Sequence, residues 1–162
     1  MKPRILVAGV GNIFFADDAF GPAVLARIVQ APIDDVRCED FGIRGLHLAF
    51  ELLDGYTAAV IVDAVSRGGA PGTLYVIEPS EPPAATEPDA HRMDLGSVFG
   101  FVQRLGGNPP PVTIVGCEPE SVEEGGEMTA TVSRAVEAAV PLVRRVVNQL
   151  LEQLEESICT EA

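Results

Sequence analysis

Residues 4–21 read Arg4-Ile-Leu-Val-Ala-Gly-Val-Gly-Asn-Ile-Phe-Phe-Ala-Asp-Asp-Ala-Phe-Gly21, and the fold is decided here. Residues 5–8 are a short, continuous apolar run closed by Gly9 and Gly11, the pattern of a strand buried on both faces that runs into a tight turn. Asp17 and Asp18 then stand where a helical apolar period begins at Ala19. A buried strand that delivers a glycine turn and paired carboxylates to one edge of a sheet is building a site.

Working outward, residues 19–30 place Phe20, Val24, Leu25 and Ile28 on one helical face, ended by Ala31-Pro32. Residues 36–40 are a second short strand leading into a loop with Gly42 and Gly45. Residues 46–53 form a helix predicted to turn Leu46, Ala49, Phe50 and Leu53 inward and His47, Glu51 and Asp54 outward. Residues 58–62 are the most strand-like run, terminated by Asp63, an acid at the carboxyl end of a buried strand. The connection over residues 66–72 is too short for a helical crossover, so the strand at 73–78 is expected antiparallel to its predecessor.

Residues 79–90 are proline-rich, aperiodic and read as a surface loop that brings His91 into position. A helix at 94–105, capped by Asp94, precedes a fifth strand at 112–115. The long final helix carries Pro141, where a kink or a junction of two helices is expected. This alternation predicts a three-layer α/β/α sandwich around a five-stranded, mostly parallel sheet. One domain over residues 1–156 is expected, with residues 157–162 a frayed tail.

Composition narrows the function. The formal net charge of −13 opposes nucleic acid or an anionic membrane as partner and favours a cation or a basic peptide. Three cysteines (Cys38, Cys117, Cys159) have no metal-type spacing, and their odd number argues against a disulfide framework, so they read as thiols of a reducing cytoplasm. Residues 1–4 enter the first strand directly, with no signal peptide expected. No apolar run approaches the ~18 residues of a membrane span.

The opening turn superficially matches a dinucleotide fingerprint, but Phe14 occupies the third glycine position. The acid expected about 20 residues beyond that motif is missing, and Asp17 and Asp18 would repel a pyrophosphate. Taken singly, Asp17 and Asp18 read as helix-capping acids, Asp63 as a turn residue and His91 as a loop histidine. Together, Asp18 and Asp63 fall at the same sheet edge, after the first and third strands, and the loop carrying His91 is long enough to reach it. Two carboxylates and an imidazole make a three-ligand set with open positions, suited to a divalent ion such as nickel or zinc. His47 reads better as part of a solvated face, no Gly-x-Ser-x-Gly elbow exists, and the acidic residues 118–127 read as a solvated loop.

These blocks carry a resemblance. Gly9-Val-Gly-Asn12 followed by Asp17-Asp18-Ala-Phe-Gly21, then Val62-Asp63-Ala64, His91-Arg-Met93 and Gly116-Cys-Glu-Pro-Glu120 occur in that order. On them the chain resembles, over nearly its whole length, the endopeptidases that mature the large subunit of nickel–iron hydrogenases.

The resemblance implies a phosphorylase/hydrolase-like sheet of order 2-1-3-5-4 with strand four antiparallel. It implies that Asp18, Asp63 and His91 form the catalytic, metal-contacting set, with Asp17 a reserve candidate for general base. It implies as partner the precursor of the hydrogenase large subunit, already loaded with nickel, from which a short C-terminal peptide is removed. No permanent cofactor is then expected, since nickel arrives with the precursor. Aspartate at position 18 replaces the glutamate frequent in the family. The Asp-Gly-Gly-Thr-type recognition loop appears here as Asp40-Phe-Gly42-Ile-Arg-Gly45, so Asp40, Gly42 and Gly45 are the substrate-recognition candidates. That variant resembles the members serving cytoplasmic hydrogenases, including the NAD-linked kind. The alternative reading is a nickel-binding chaperone of hydrogenase assembly that cuts nothing.

Overall fold

A computed structural model describes residues 4–78 and 94–161. In chain order it contains β1 (Ile5–Val10), a single 3-10 turn (Ala16–Ala19), α1 (Phe20–Ile28), β2 (Val36–Gly42), α2 (Gly45–Leu52) and β3 (Ala58–Ala64). These are followed by β4 (Leu74–Ile77), α3 (Leu95–Arg104), β5 (Val112–Cys117) and α4 (Ala130–Glu161). The sheet order is β2-β1-β3-β5-β4, with β4 antiparallel to β5 and the other pairs parallel. The expected topology is therefore the observed one, including the antiparallel fourth strand.

The sequence explains the layering. β1 and β5 are buried along their whole length, as continuous apolar runs in a sheet covered on both faces must be. Alternate side chains go to alternate layers. Ile5, Val7, Val60, Val62 and Val115 pack under α1 and α4, whereas Leu6, Ala8, Ala59, Ile61 and Ile114 pack under α2 and α3. α1 inserts the four residues its period predicts, and Asp94 caps α3 by accepting from Ser97 N at 2.8 Å.

Three expectations are corrected. α2 buries Leu48, Ala49 and Leu52, while Leu46 and Phe50 face outward. Buried Phe41 and the left-handed Gly42 (φ 53°) set the phase at which the chain enters α2, and the helix carries apolar residues on both sides. Second, α4 runs as one helix through Pro141, so two helices do not meet there. Pro141 lies on its exposed side, where water can satisfy the carbonyl that has lost its N–H partner. Third, α4 continues to Glu161 in place of a frayed tail, through a stretch dominated by the strong helix formers Leu, Glu and Gln. Among the described residues no helix is long and apolar enough to cross a membrane. The three cysteines are free thiols.

Candidate active site

β1 and β3 are neighbours, with Gly9 opposite Val62, so the turns leaving them open onto the same carboxyl edge. Gly11 has a φ of 143°, and a Cβ there would sit 1.9 Å from the carbonyl oxygen of Asp18. A Cβ on Gly21 would meet the carbonyl oxygens of Val10 at 2.3 Å and Val62 at 2.4 Å. The two glycines thus let the chain leave β1, fold back, and press the first turn of α1 onto the ends of both strands. Glycine here serves close backbone packing beside two carboxylates, as the mismatch with a dinucleotide fingerprint implies.

Asp18 is half-buried, and its Oδ2 accepts the Asn12 N–H at 2.7 Å. Asn12 Oδ1 in turn accepts from Phe14 N at 2.9 Å, so the turn is braced from within. Asp63 stands near the end of β3, opposite Gly116 of β5. Burial, the Asp18 carboxylate and, to a smaller degree, Asp94 push the Asp63 carboxyl up to about 8, against a partial offset from the Ala64 N–H. Asp18 and Asp63 are therefore within electrostatic reach of each other, and a neutral Asp63 is favoured at neutral pH. Such a pair is relieved by a proton or by a cation.

His91 lies outside the described residues, so the third member of the expected set has no placement. Among the described residues no cluster of three or more His, Cys, Asp or Glu side chains is gathered as a metal site. Asp94, three positions after His91 in sequence, caps α3 and acts on Asp63. His47 is exposed on α2, as expected of a solvated face.

Asp17 has a different task from the one its sequence position suggests. It is fully buried and caps no helix by its side chain. Its carboxylate accepts from the backbone N–H groups of Glu120, Ser121 and Thr129 at 2.8, 3.0 and 2.8 Å, and from the Thr129 hydroxyl. Burial raises its pKa, but these donors outweigh burial and the net shift is downward. With its acceptor sites filled by structural donors, it is not available as a general base.

Glu118 is the second carboxylate used this way, and it departs from the solvated loop expected around it. It is buried and accepts from Arg67 N at 2.7 Å, Gly68 N at 3.2 Å and the Tyr75 hydroxyl at 2.9 Å, fixing the β3–β4 connection that leaves the site. Neither staple is legible in the sequence, because the partners of Asp17 lie more than a hundred positions away and those of Glu118 lie 43 to 51 positions away.

The recognition candidates form the neighbouring wall. Asp40 Oδ1 accepts from Gly42 N at 2.8 Å, bracing the end of β2, and Gly11 N donates to Gly42 O at 3.0 Å, tying the chain leaving β2 to the turn after β1. Gly45 opens α2, and Arg44 folds back to donate to the carbonyls of Asp40 and Phe41. Between the two turns lies a groove of about 420 Å³.

Comparison with known proteins supplies the family. The sequence model of the family described as hydrogenase maturation protease matches residues 25–146, a span that includes Asp40, Gly42, Gly45 and Asp63. The chain is 34% identical over 164 residues to the hydrogenase 2 maturation protease of Escherichia coli K12, covering 98% of each. It is 33% identical over 150 residues to the hydrogenase expression/formation protein HupD of Rhizobium leguminosarum bv. viciae, covering 89% of this chain and 74% of that one. The solved hydrogenase maturating endopeptidase HybD from E. coli superposes with a TM-score of 0.74 at 30% identity, over 90% of this chain and 93% of that one. With a buried strand feeding a glycine turn beside two electrostatically coupled carboxylates, with this sheet and with these relatives, the chain belongs to the hydrogenase maturation protease family and is an endopeptidase of that kind.

Proposed function

We propose that this endopeptidase removes a short C-terminal peptide from the nickel-loaded precursor of a [NiFe] hydrogenase large subunit, in the cytoplasm, and that the nickel of the precursor is its recognition element. The observation that carries this reading is the placement of Asp18 and Asp63 after the neighbouring strands β1 and β3 at one carboxyl edge, where burial and Asp18 drive Asp63 toward neutrality. A divalent ion offered by the substrate relieves that repulsion, so that cleavage is confined to precursors already loaded. By its place in the sequence His91 is the third residue assigned to the set; Asp94, three positions after it, acts on Asp63. The bound ion is also placed to polarise the scissile carbonyl or the attacking water. Assignment to the aspartic-type peptidases is compatible with this pair, though its chemistry differs from that of a proton-sharing dyad acting alone.

A processing assay tests the roles. With nickel-loaded precursor, Asp63→Asn and His91→Ala lose about two orders of magnitude or more in cleavage rate, the scale at which loss of a metal-oriented reaction step is felt. Cleavage by both variants at the wild-type rate rejects the site. A wild-type chain that binds the precursor and leaves its mass unchanged is the chaperone.

A further inference from the structure

α2 carries apolar side chains on two opposite faces. Leu48, Ala49 and Leu52 face the core, whereas Leu46 and Phe50, four residues apart, share the outer side at 43% and 54% exposed, and Ile43, just before the helix, is 59% exposed. A helix apolar on both faces is the pattern of one buried on both faces, and the described chain covers only the inner one. Ile43 also lines the groove between the β1 and β2 turns, together with Ile13 and Phe14, which are among the most exposed large apolar residues of the described chain. A single apolar strip thus runs from the groove along α2, larger than scattered surface residues require. It begins at the candidate active site, because Asn12, whose N–H binds Asp18, lines the same groove.

The far side of Phe14 is acidic. Gly125 N donates to Phe14 O at 2.7 Å, and the segment carrying Gly125 exposes Glu120, Glu123, Glu124 and Glu127 with no Lys or Arg among residues 118–127. We propose that the strip of Phe14, Ile43, Leu46 and Phe50 docks the cleavage-site region of the precursor, presented as an apolar segment flanked by Lys or Arg residues that meet the 120–127 carboxylates. This rests on the processing function proposed above. Charge selects the occupant. A second copy would bring two chains of net charge −13 together with their acidic segments close to the contact, whereas a basic-flanked apolar segment complements both halves of the surface.

Titration of the full chain with nickel-free precursor separates docking from cutting. Leu46→Ser/Phe50→Ser and Glu123→Lys/Glu124→Lys each weaken binding about tenfold or more, as loss of interface anchors or of steering charge does. The wild-type affinity falls as salt is raised, and falls less in the charge-reversed variant. Val29→Ser, an exposed apolar site beyond α1 on the opposite layer, binds as wild type does. Unchanged melting temperatures exclude misfolding as the cause. Wild-type affinity in both double variants overturns the proposal, as does a concentration-dependent dimer that Leu46→Ser/Phe50→Ser abolishes while precursor binding is intact. If the expected weakening is seen but nickel-loaded precursor is never shortened, docking stands and the processing function falls.

Discussion

Asp17 and Asp18 are adjacent in sequence, yet one is a structural staple and the other acts on the Asp63 carboxyl. Asp17 holds the β5–α4 connection, and its replacement takes the acceptor from three part-buried N–H groups, at about 1 kcal/mol or more each. Asp17→Ala is therefore expected to lower Tm by on the order of 10 °C, read by calorimetry; a shift of only a degree or two would remove the staple. Asp63 gives the opposite electrostatic signature. Its folded pKa, about 8, lies above its ordinary 3.8, so between those values the folded chain holds a proton that the unfolded chain has lost. Stability from this group is thus present at pH 4 and declines as pH rises toward 8. Asp63→Asn abolishes that slope, so its gain in Tm over wild type is larger at pH 8 than at pH 5; an equal gain at both contradicts the shift. The sequence allowed Asp18 and Asp63 to be paired because each follows a buried strand. It did not reveal Asp17, since no local pattern encodes a carboxylate whose donors come from the far end of the chain.

At the scale of elements, the contact of α1 with the strand ends is the tightest joint. A methyl group on Gly21 would overlap two backbone carbonyls that have no rotamer with which to move aside. Gly21→Ala is expected to cost more than about 2 kcal/mol, as overpacking against rigid neighbours does, and to slow precursor cleavage through displacement of Asp18. Denaturant midpoints and rates check it together, and unaltered stability would mean that the helix is seated further out. The C-terminal end of α4 is the contrast. Residues 157–161 are exposed, so truncation after Glu156 is expected to shift Tm by no more than about 2 °C. A larger loss would assign that turn a packing role. β1, β3 and β5 were legible as continuous apolar runs, and α1 and α3 as single apolar faces. α2 was not, because its period allows two phases when both faces are apolar, and only the Phe41–Gly42 turn selects between them.

The whole molecule joins these parts through its sheet order. The parallel neighbours β1 and β3 bring two carboxylates from remote sequence positions to one edge, while β2 and α2 supply the adjoining groove. The topology was foreseeable from strand spacing and family resemblance, because the β3–β4 connection is too short to cross over. The net charge of −13 sets the kind of partner such an edge can meet. In the function proposed above, this edge cuts a precursor by engaging the nickel it carries. The most direct measurement is the intact mass of a nickel-loaded large-subunit precursor after incubation with the wild-type chain and with Asp63→Asn. The account predicts loss of one short C-terminal peptide with wild type and an unchanged mass with the variant. An unchanged mass with wild type, or equal shortening by both, would contradict it.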